Sequence, residues 1–558
     1  MILASQEEIK RWTERGVWGS KTLIDYFKEN VKRYPNDVCI VDPYNKKELV
    51  GFDPERLTYR EFDRAVDATA EALLELGIQK DDIVMVQIPN CWELAMLYLA
   101  IARAGAVISP MPMQWRELEV EYIARMTEAK AFITVDEFRG FKHKQMGEKL
   151  QSKFSYLRHV LTLPEIREMS KGGVKGRLKD VPLDANDIFT LCWTSGTEAQ
   201  PKGCPLSHNN WVMLARIQIE TVGMSRNDIF LTAGPLVNMA SVGTAFIPWI
   251  VLGNRLVLHH PFEPLLLVEQ LKRERVTYTL LVPAVVNMLL KHPKVDEFDL
   301  SSLRMITIGS APPSLWAVQE LRRRWGIDFA NIWGQNEGTG IISGPLDVPD
   351  VEKRVHNFPH WGKPGVKWRA PVTEFIQTKI RDPATGEELT EVGSIGVLWY
   401  RSPSVIPCYF KNPDATKRAF DEEGFFNTGD LFKIKEGNCI EFYDRAKDII
   451  IRGGFNISAQ EIENILLEHP DVADVAAVAM PDERLGERVC VYVVPKGSKE
   501  ITLNDLTSFM REKGVAVYKL PERLEITDKI PRNPVGKILK NRLREDIRRK
   551  LESEKRSN

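Results

Sequence analysis

From residue 58 to residue 110 short apolar runs alternate with helical stretches, and this alternation restricts the fold more than any other feature of the chain. Thr58 and Glu61 have the spacing of a capping box, with Leu57 and Phe62 placed as a hydrophobic staple. Phe62, Val66, Ala70 and Leu73 then recur at helical spacing, and Gly77 supplies a stop. Asp81–Pro89 is a buried-strand pattern, Trp92–Arg103 a second helix ending at Gly105, and Ala106–Pro110 another strand. Strand–helix–strand order of this kind predicts an α/β fold of parallel sheets layered with helices. The same order returns between residues 270 and 335, including an expected helix over Leu315–Trp325.

After about residue 390 the texture changes to short strands separated by Gly, Asn and Asp turns, which predicts a small β unit over about 370–446. The last hundred residues read as a compact α+β domain. Two helices are expected there, one near Ile457–Pro470 and one starting near Thr502, with strands at Val472–Pro481 and Arg488–Pro495. The expected division is therefore 1–446 and 447–558, with the border at the charged loop around Lys447. The basic tail from Lys529 is read as a solvated helix face joined to a charged active-site loop.

Composition narrows the function. Of 558 residues, 76 are Lys or Arg and 77 are Asp or Glu, so no global charge draws the chain to nucleic acid or to an anionic membrane. Seven cysteines lie far apart without CxxC spacing, which predicts reduced, mostly buried thiols and no zinc pattern. The longest clean apolar run, Leu94–Ala102, is too short to span a bilayer, and residues 1–12 lack a secretory pattern. A cytoplasmic protein with no membrane span, monomeric or homodimeric, is expected.

Five motifs carry chemistry. Thr194-Ser195-Gly196-Thr197-Glu198-Ala199-Gln200-Pro201-Lys202-Gly203 follows a strand-like run, Ile188–Trp193. Its hydroxyls, glycines and single lysine suit an oligophosphate, although the loop is not a Walker A sequence. Trp333-Gly334-Gln335-Asn336-Glu337 places an aromatic ring at a strand end and a carboxylate four residues on, a pairing suited to a flat base and a magnesium ion. Thr428-Gly429-Asp430 presents a carboxylate that could accept two ribose hydroxyls. Asp444-Arg445-Ala446-Lys447-Asp448 runs on to Arg452-Gly453-Gly454-Phe455-Asn456-Ile457. Pro531-Arg532-Asn533-Pro534-Val535-Gly536-Lys537 presents a lysine from a Pro/Gly loop. Each motif alone is also compatible with an ordinary turn or a solvated charge.

Together, in this order, the five resemble the adenylate-forming superfamily of acyl-CoA synthetases, peptide-synthetase adenylation domains and luciferases, over most of the chain from about Leu57 onward. The resemblance implies a large N-terminal domain, a small mobile C-terminal domain, and ATP, Mg2+ and coenzyme A as cofactors. It assigns Thr194, Ser195, Gly196, Thr197 and Lys202 to the phosphates, and Ser310, Ala311, Trp333, Gly334 and Asn336 to the nucleotide. Trp333 stands where a tyrosine is usual. Asp430 and Arg445 fall to the ribose and phosphate, Glu337 with Thr197 to magnesium, Arg452, Gly453 and Gly454 to coenzyme A, and Lys447 to the hinge. Lys537 is the implied catalytic lysine, with Glu337 assisting.

Departures from the usual family pattern are few. Glu198 and Ala199 replace the usual small hydroxyl and glycine, and Asn336 replaces a threonine that contacts the α-phosphate, a contact its amide is expected to keep. The acyl pocket is expected at Asn238, Met239, Ser241, Gly243 and Gly309. No acid lies in 237–249, and an unpaired buried ammonium is costly, so amino-acid substrates are disfavoured. The expected activity is AMP-forming ligation of a carboxylic acid to coenzyme A, the acid aryl or alicyclic (benzoate- or cyclohexanecarboxylate-like). The alternatives are a medium-chain fatty acid, or transfer of the acyl group to a carrier protein. A luciferase-like oxygenase and a degenerate nucleotide-binding regulator are the remaining classes, and the presence of Lys537, Glu337 and Asp430 weighs against the regulator.

Overall fold

The structure is a computed structural model that describes residues 1–557 apart from 195–200, 238, 311–312, 454, 483, 498–499 and 534–535. The described residues form two compact units, one from 1–194, 201–377 and 400–426, the other from 378–399 and 427–557.

Local signals set the early helices of the first unit. Thr58 caps the helix Tyr59–Glu75, and the Glu61 carboxylate returns to the Thr58 amide at 2.8 Å, closing the capping box. Phe62, Val66, Ala70 and Leu73 are all fully buried. The helix Trp92–Arg103 buries every residue up to Ala102, which accounts for its being apolar on all sides. Its one buried acid, Glu93, is met by Lys46 at 2.8 Å, and Lys46 also holds Asp42 at 2.7 Å.

The strands of this unit are, in chain order, β1 (Val38–Val41), β2 (Arg56–Thr58), β3 (Ile83–Val86), β4 (Val107–Pro110), β5 (Ala131–Thr134), β6 (His159–Thr162) and β7 (Ile188–Trp193). They continue with β8 (Gly203–Ser207), β9 (Ile229–Thr232), β10 (Arg255–Leu258), β11 (Tyr278–Leu281), β12 (Met305–Gly309), β13 (Asp328–Gln335) and β14 (Thr339–Ser343). One sheet has the order β14-β13-β12-β11-β9-β10-β1-β2 and the other β6-β5-β3-β4-β7-β8. Pairing is parallel except at β1–β2, β13–β14 and β7–β8, so antiparallel strands occur only at edges. The expected helix Leu315–Trp325 is present with Ser314 as its cap. Ile306 and Ile308 on one face of β12 join a core with Leu271, Leu281, Val318 and Leu321. That packing leaves Met305, Thr307 and Gly309 on the opposite face.

The second unit contains most of the strands Ile395–Arg401 and Phe426–Lys435 and all of Cys439–Arg445, neighbours in one sheet. Its C-terminal part is built on the long antiparallel pair Val472–Asp482 and Gly486–Pro495. One face of this pair, with Val475, Ala477, Val489 and Val491, packs on the helices Ala459–Leu467 and Leu503–Glu512. The other face, with Ala476, Val478, Cys490 and Tyr492, packs on Leu543 and Ile547 of the last helix, Lys540–Ser557. Burial on both faces explains why these strands read as unbroken apolar runs. The basic tail is thus an amphipathic helix with a narrow apolar seam. All seven cysteines are free thiols, and six are buried.

Candidate active site

In the first unit the site residues gather at the C-terminal ends of parallel strands, the usual ligand side of such sheets. The loop between β7 and β8 has a closed neck. The Thr194 amide donates to the Lys202 carbonyl at 3.0 Å, and the Lys202 amide donates to the Thr194 hydroxyl oxygen at 3.0 Å. Ser195, Gly196 and Thr197 lie outside the described residues, as do Asn238, Ala311 and Gly454.

Lys202 leads to a residue that the motifs did not single out. Its ammonium donates to the Tyr409 hydroxyl at 3.0 Å and sits 4.1 Å from the centre of the Tyr409 ring. That hydroxyl in turn donates to Glu337 Oε1 at 2.8 Å. Burial and then the adjacent Glu337 carboxylate push the Tyr409 phenol well above its ordinary value, so it remains a donor at any working pH. Glu337 is 8% exposed and its own carbonyl accepts from the Ile406 amide at 2.9 Å. The next residue must be glycine: Gly338 has φ +89°, and a Cβ there would fall 2.1 Å from the Ser404 carbonyl oxygen. Glu337 offers a hard oxygen donor of the kind magnesium takes. Among the described residues no set of three or more acids, histidines or cysteines forms a cage. A single carboxylate fits an ion that draws its other ligands from phosphates and water.

The strand ends approach closely. A Cβ on Gly309 would come within 2.5 Å of the Ile332 side chain, and one on Gly334 within 2.8 Å of the Thr339 carbonyl. Ser310 has φ +73°, a strained conformation of the kind that concentrates at functional sites. Trp333 is buried, its ring 6.5 Å from that of Tyr400.

Asn336 is engaged at both ends of its amide. Its Nδ2 donates to the Trp193 carbonyl at 2.8 Å, and its Oδ1 accepts from the Met239 amide at 3.0 Å. The side chain therefore ties the end of β7 to the backbone at Met239. One N–H is left for a phosphate instead of a whole amide. A threonine, with one hydroxyl, could not make both links at this reach. Met239 leans over Gly243, where a Cβ would meet its sulfur at 3.2 Å and the Trp211 ring at 3.5 Å. Gly243 lies in a π-helical turn, Val242–Phe246, a distortion frequent at functional sites. Ser241 is buried, close enough to Gly234 that a Cβ there would stand 2.4 Å from its hydroxyl.

The second unit carries its own cluster. Asp430, 4% exposed, is paired in register with Arg445, whose Nε lies 3.6 Å from Asp430 Oδ1. Gly429 turns with φ +66° to present that carboxylate. Lys447 sits in a short 3-10 turn, Ala446–Asp448, that is held by Arg544 of the last helix. Arg544 donates to the Lys447 carbonyl at 3.0 Å and to the Asp448 carboxylate. Arg452 is engaged in a bidentate pair with Glu522 at 2.9 and 3.0 Å. Gly453, at φ +55°, closes its turn on the Leu485 carbonyl at 2.8 Å.

The Lys537 loop is fixed by its backbone. Asn533 Oδ1 accepts from the Lys537 amide at 2.8 Å, the Asn533 amide donates to the Lys537 carbonyl at 2.8 Å, and Arg532 anchors the turn to Asp474 at 2.7 Å. No hydrogen-bond partner of the Lys537 amine is found among the described residues. Burial and then the neighbouring Arg445 guanidinium bring its ammonium down to about 7, against the pull of Asp430 and Asp448. Tyr409 and Arg544 are the functional candidates that the motifs missed. Tyr409 stands seventy-two residues from Glu337 in sequence, and Arg544 read only as one charge of a basic tail.

The chain matches known proteins along most of its length. The family described as AMP-binding enzyme matches residues 27–410, and the AMP-binding enzyme C-terminal domain matches residues 461–537. A medium-chain fatty-acid–CoA ligase of Escherichia coli (strain K12) is 30% identical over 97% of this chain and 93% of its own length. A 2,3-dihydroxybenzoate-AMP ligase of Bacillus subtilis (strain 168) is 29% identical over 98% of this chain and 97% of its own. Among solved structures, ATP-bound MatB from Rhodopseudomonas palustris superposes with a TM-score of 0.81 at 24% identity, covering 95% of this chain and 99% of that one. No helix among the described residues is long and apolar enough to cross a membrane.

Proposed function

We propose, from the premise that this chain belongs to the AMP-binding enzyme family of adenylate-forming acid ligases, that it joins a carboxylic acid to coenzyme A in two steps. In the first the acid's carboxylate attacks the α-phosphorus of ATP, forming an acyl-AMP and releasing pyrophosphate. In the second the coenzyme A thiol attacks the acyl carbonyl and AMP leaves. A carboxylate is a poor acylating agent because its leaving group would be oxide, and AMP removes that obstacle.

Two anions meet in the first step, so the site must supply positive charge where charge develops, and positioning does the remainder. Lys537 is assigned that role. Asp430 takes the ribose hydroxyls with Arg445 beside it, Trp333 flanks the base, and Lys202 with the loop it closes takes the outer phosphates. Gly309 and Ser310 line the junction of nucleotide and acid. Glu337 would hold a magnesium ion, with Thr197 as its proposed partner ligand, and the ion would supply charge neutralisation on the phosphates. For the second step Lys447 is the proposed hinge, and Arg452, Gly453 and Gly454 face the thiol. The domain border at 447 is part of the same proposal.

What supports this reading most is one group: a buried carboxylate in register with an arginine and, in their field, an amine with no hydrogen-bond partner among the described residues. Such an amine is costly until an anion arrives. The acid is proposed to be aryl or alicyclic, the segment 237–243 carrying no charged residue. The second reading, a medium-chain fatty acid, draws on the Escherichia coli relative. Acid-dependent exchange of labelled pyrophosphate into ATP over a panel of acids, followed by detection of a thioester with coenzyme A, tests both steps. Failure of every acid to drive exchange would overturn the reading.

A further inference from the structure

Beneath Gly243 the first unit contains a closed polar group that the adenylation chemistry does not use. Gln218, on the helix His208–Val222, stands two turns after Trp211 and shares its face, and Trp211 is the ring that lies under Gly243. Gln218 Nε2 donates to the Tyr278 hydroxyl of β11 at 2.8 Å and reaches Thr307 Oγ1 of β12 at 3.3 Å. The Tyr278 hydroxyl donates to Thr307 Oγ1 at 3.0 Å. With Tyr278 donating to Thr307, Gln218 serves the tyrosine as a donor through Nε2. Thr244, next to Gly243, lies within hydrogen-bonding reach of the same tyrosine.

Gln218, Tyr278, Thr307 and Thr244 are all at most 3% exposed. One polar atom in the group, Gln218 Oε1, has no partner among the described residues. Buried acceptors in native proteins are nearly always satisfied by protein, water or ligand, and a ligand donor is one such partner for this atom. Its place suggests what that donor is. Thr307 shares the strand face of Gly309 and lies two residues deeper, about 7 Å along the strand. That is about the length of one six-membered ring measured from a carboxylate held at Gly309.

We infer that Gln218, supported by Tyr278 and Thr307, is a specificity-determining residue at the floor of the acyl pocket, and that the preferred acid is a ring acid with a hydroxyl or amino donor at the end remote from its carboxylate. This rests on the ligase reading above and narrows it. A donor proton from the ring satisfies Oε1, whereas a hydrocarbon acid leaves the acceptor buried and unpaired. Sites that hydrogen-bond a substrate group discriminate against analogues lacking it far more strongly than apolar pockets discriminate by size.

The test is pyrophosphate exchange with 4-hydroxybenzoate, 4-aminobenzoate, benzoate, cyclohexanecarboxylate and octanoate, using the full chain and its Gln218→Leu and Thr307→Val variants. The wild type is expected to favour the hydroxy or amino acid over benzoate by at least about tenfold in kcat/KM. Gln218→Leu is expected to reduce that ratio to near one, and Thr307→Val to reduce it in part. Should Gln218→Leu fail to fold, quenching of tryptophan fluorescence by each acid on the wild type reads the same order of affinities, Trp211 lying against the pocket. Benzoate, cyclohexanecarboxylate or octanoate equal to or better than the donor acids would overturn the inference and leave the ligase reading intact. An unchanged ratio in folded Gln218→Leu would do the same. No exchange with any acid would remove both.

Discussion

The two charged clusters treat their lysines in opposite ways. In the first unit Lys202 is bound to Tyr409, Tyr409 to Glu337, and each charge is shared through one buried hydroxyl. In the second, Lys537 is held by its backbone, with its amine left in a field where Arg445 opposes Asp430 and Asp448. A satisfied cluster binds a ground state equally well before and during reaction. An unsatisfied amine gains most when new negative charge forms beside it, which is the condition for accelerating a step and not merely binding its substrate. On the proposed reading, the difference separates a place that grips ATP from a group that stabilises the transfer.

Removing the Lys537 amine should therefore have the largest effect. Lys537→Ala is expected to lower acyl-AMP formation by about 10²–10³-fold, the scale of losing one preorganised charge-stabilising group. Thioester formation from supplied acyl-AMP should be little changed. Single-turnover assays of each half-reaction measure the two effects separately, and an equal loss in both would erase the contrast between the clusters. Lys447→Pro tests the same contrast from the hinge. Proline fixes φ and removes a donor in the turn Ala446–Asp448. Pyrophosphate exchange is expected to continue while thioester output falls by about tenfold or more, an estimate from the backbone constraint; normal output would show that no change at this turn is needed.

The third test is pH. An amine brought down to about 7 is charged below that value and neutral above it. If the charged form is the working one, kcat/KM for ATP in the exchange reaction falls as pH rises past about 7, approaching tenfold per unit well above it. The kcat limb, read with nucleotide bound, should lie at higher pH, because phosphate charge favours the ammonium. A kcat/KM that stays flat from about pH 6.5 to about pH 9 would place Lys537 outside the adenylation step.

How much of this was legible in the sequence follows from distance along the chain. The box Thr58–Glu61, the helix Leu315–Trp325 and the strand Ile188–Trp193 are set by neighbours a few residues apart, and each lies where the pattern places it. The five motifs are likewise local, so the residues at strand ends could be named. Side-chain partnerships are not local. Asn336 meets Trp193 across 143 residues and Met239 across 97, and nothing in the motif around it announces that its amide is engaged. Gln218 belongs to no motif, and only β11 and β12, distant in sequence, bring Tyr278 and Thr307 against it. The strain at Ser310 is equally invisible in a serine that follows a glycine.

Tyr409 gives the smallest expected effect and the sharpest test of the satisfied cluster. Tyr409→Phe keeps the ring that carries the Lys202 ammonium at 4.1 Å and removes only the oxygen that joins it to Glu337. A hydrogen bond to a charged group contributes about 1.5–3 kcal/mol, and water or a bound cation can replace part of that, so the loss should lie near the lower end, about tenfold. If the cluster grips ATP and its ion, the loss falls on KM for MgATP and on the concentration of magnesium required, with kcat nearly unchanged, because binding lost equally from ground and transition states does not alter kcat. Binding of ATP without magnesium, followed by tryptophan fluorescence, should weaken less than binding of MgATP, since Lys202 keeps its place over the ring while Glu337 loses the hydroxyl that donates to it. A fall in kcat with unchanged KM would put Tyr409 in the same class as Lys537, and the division between a gripping cluster and a reacting one would no longer hold.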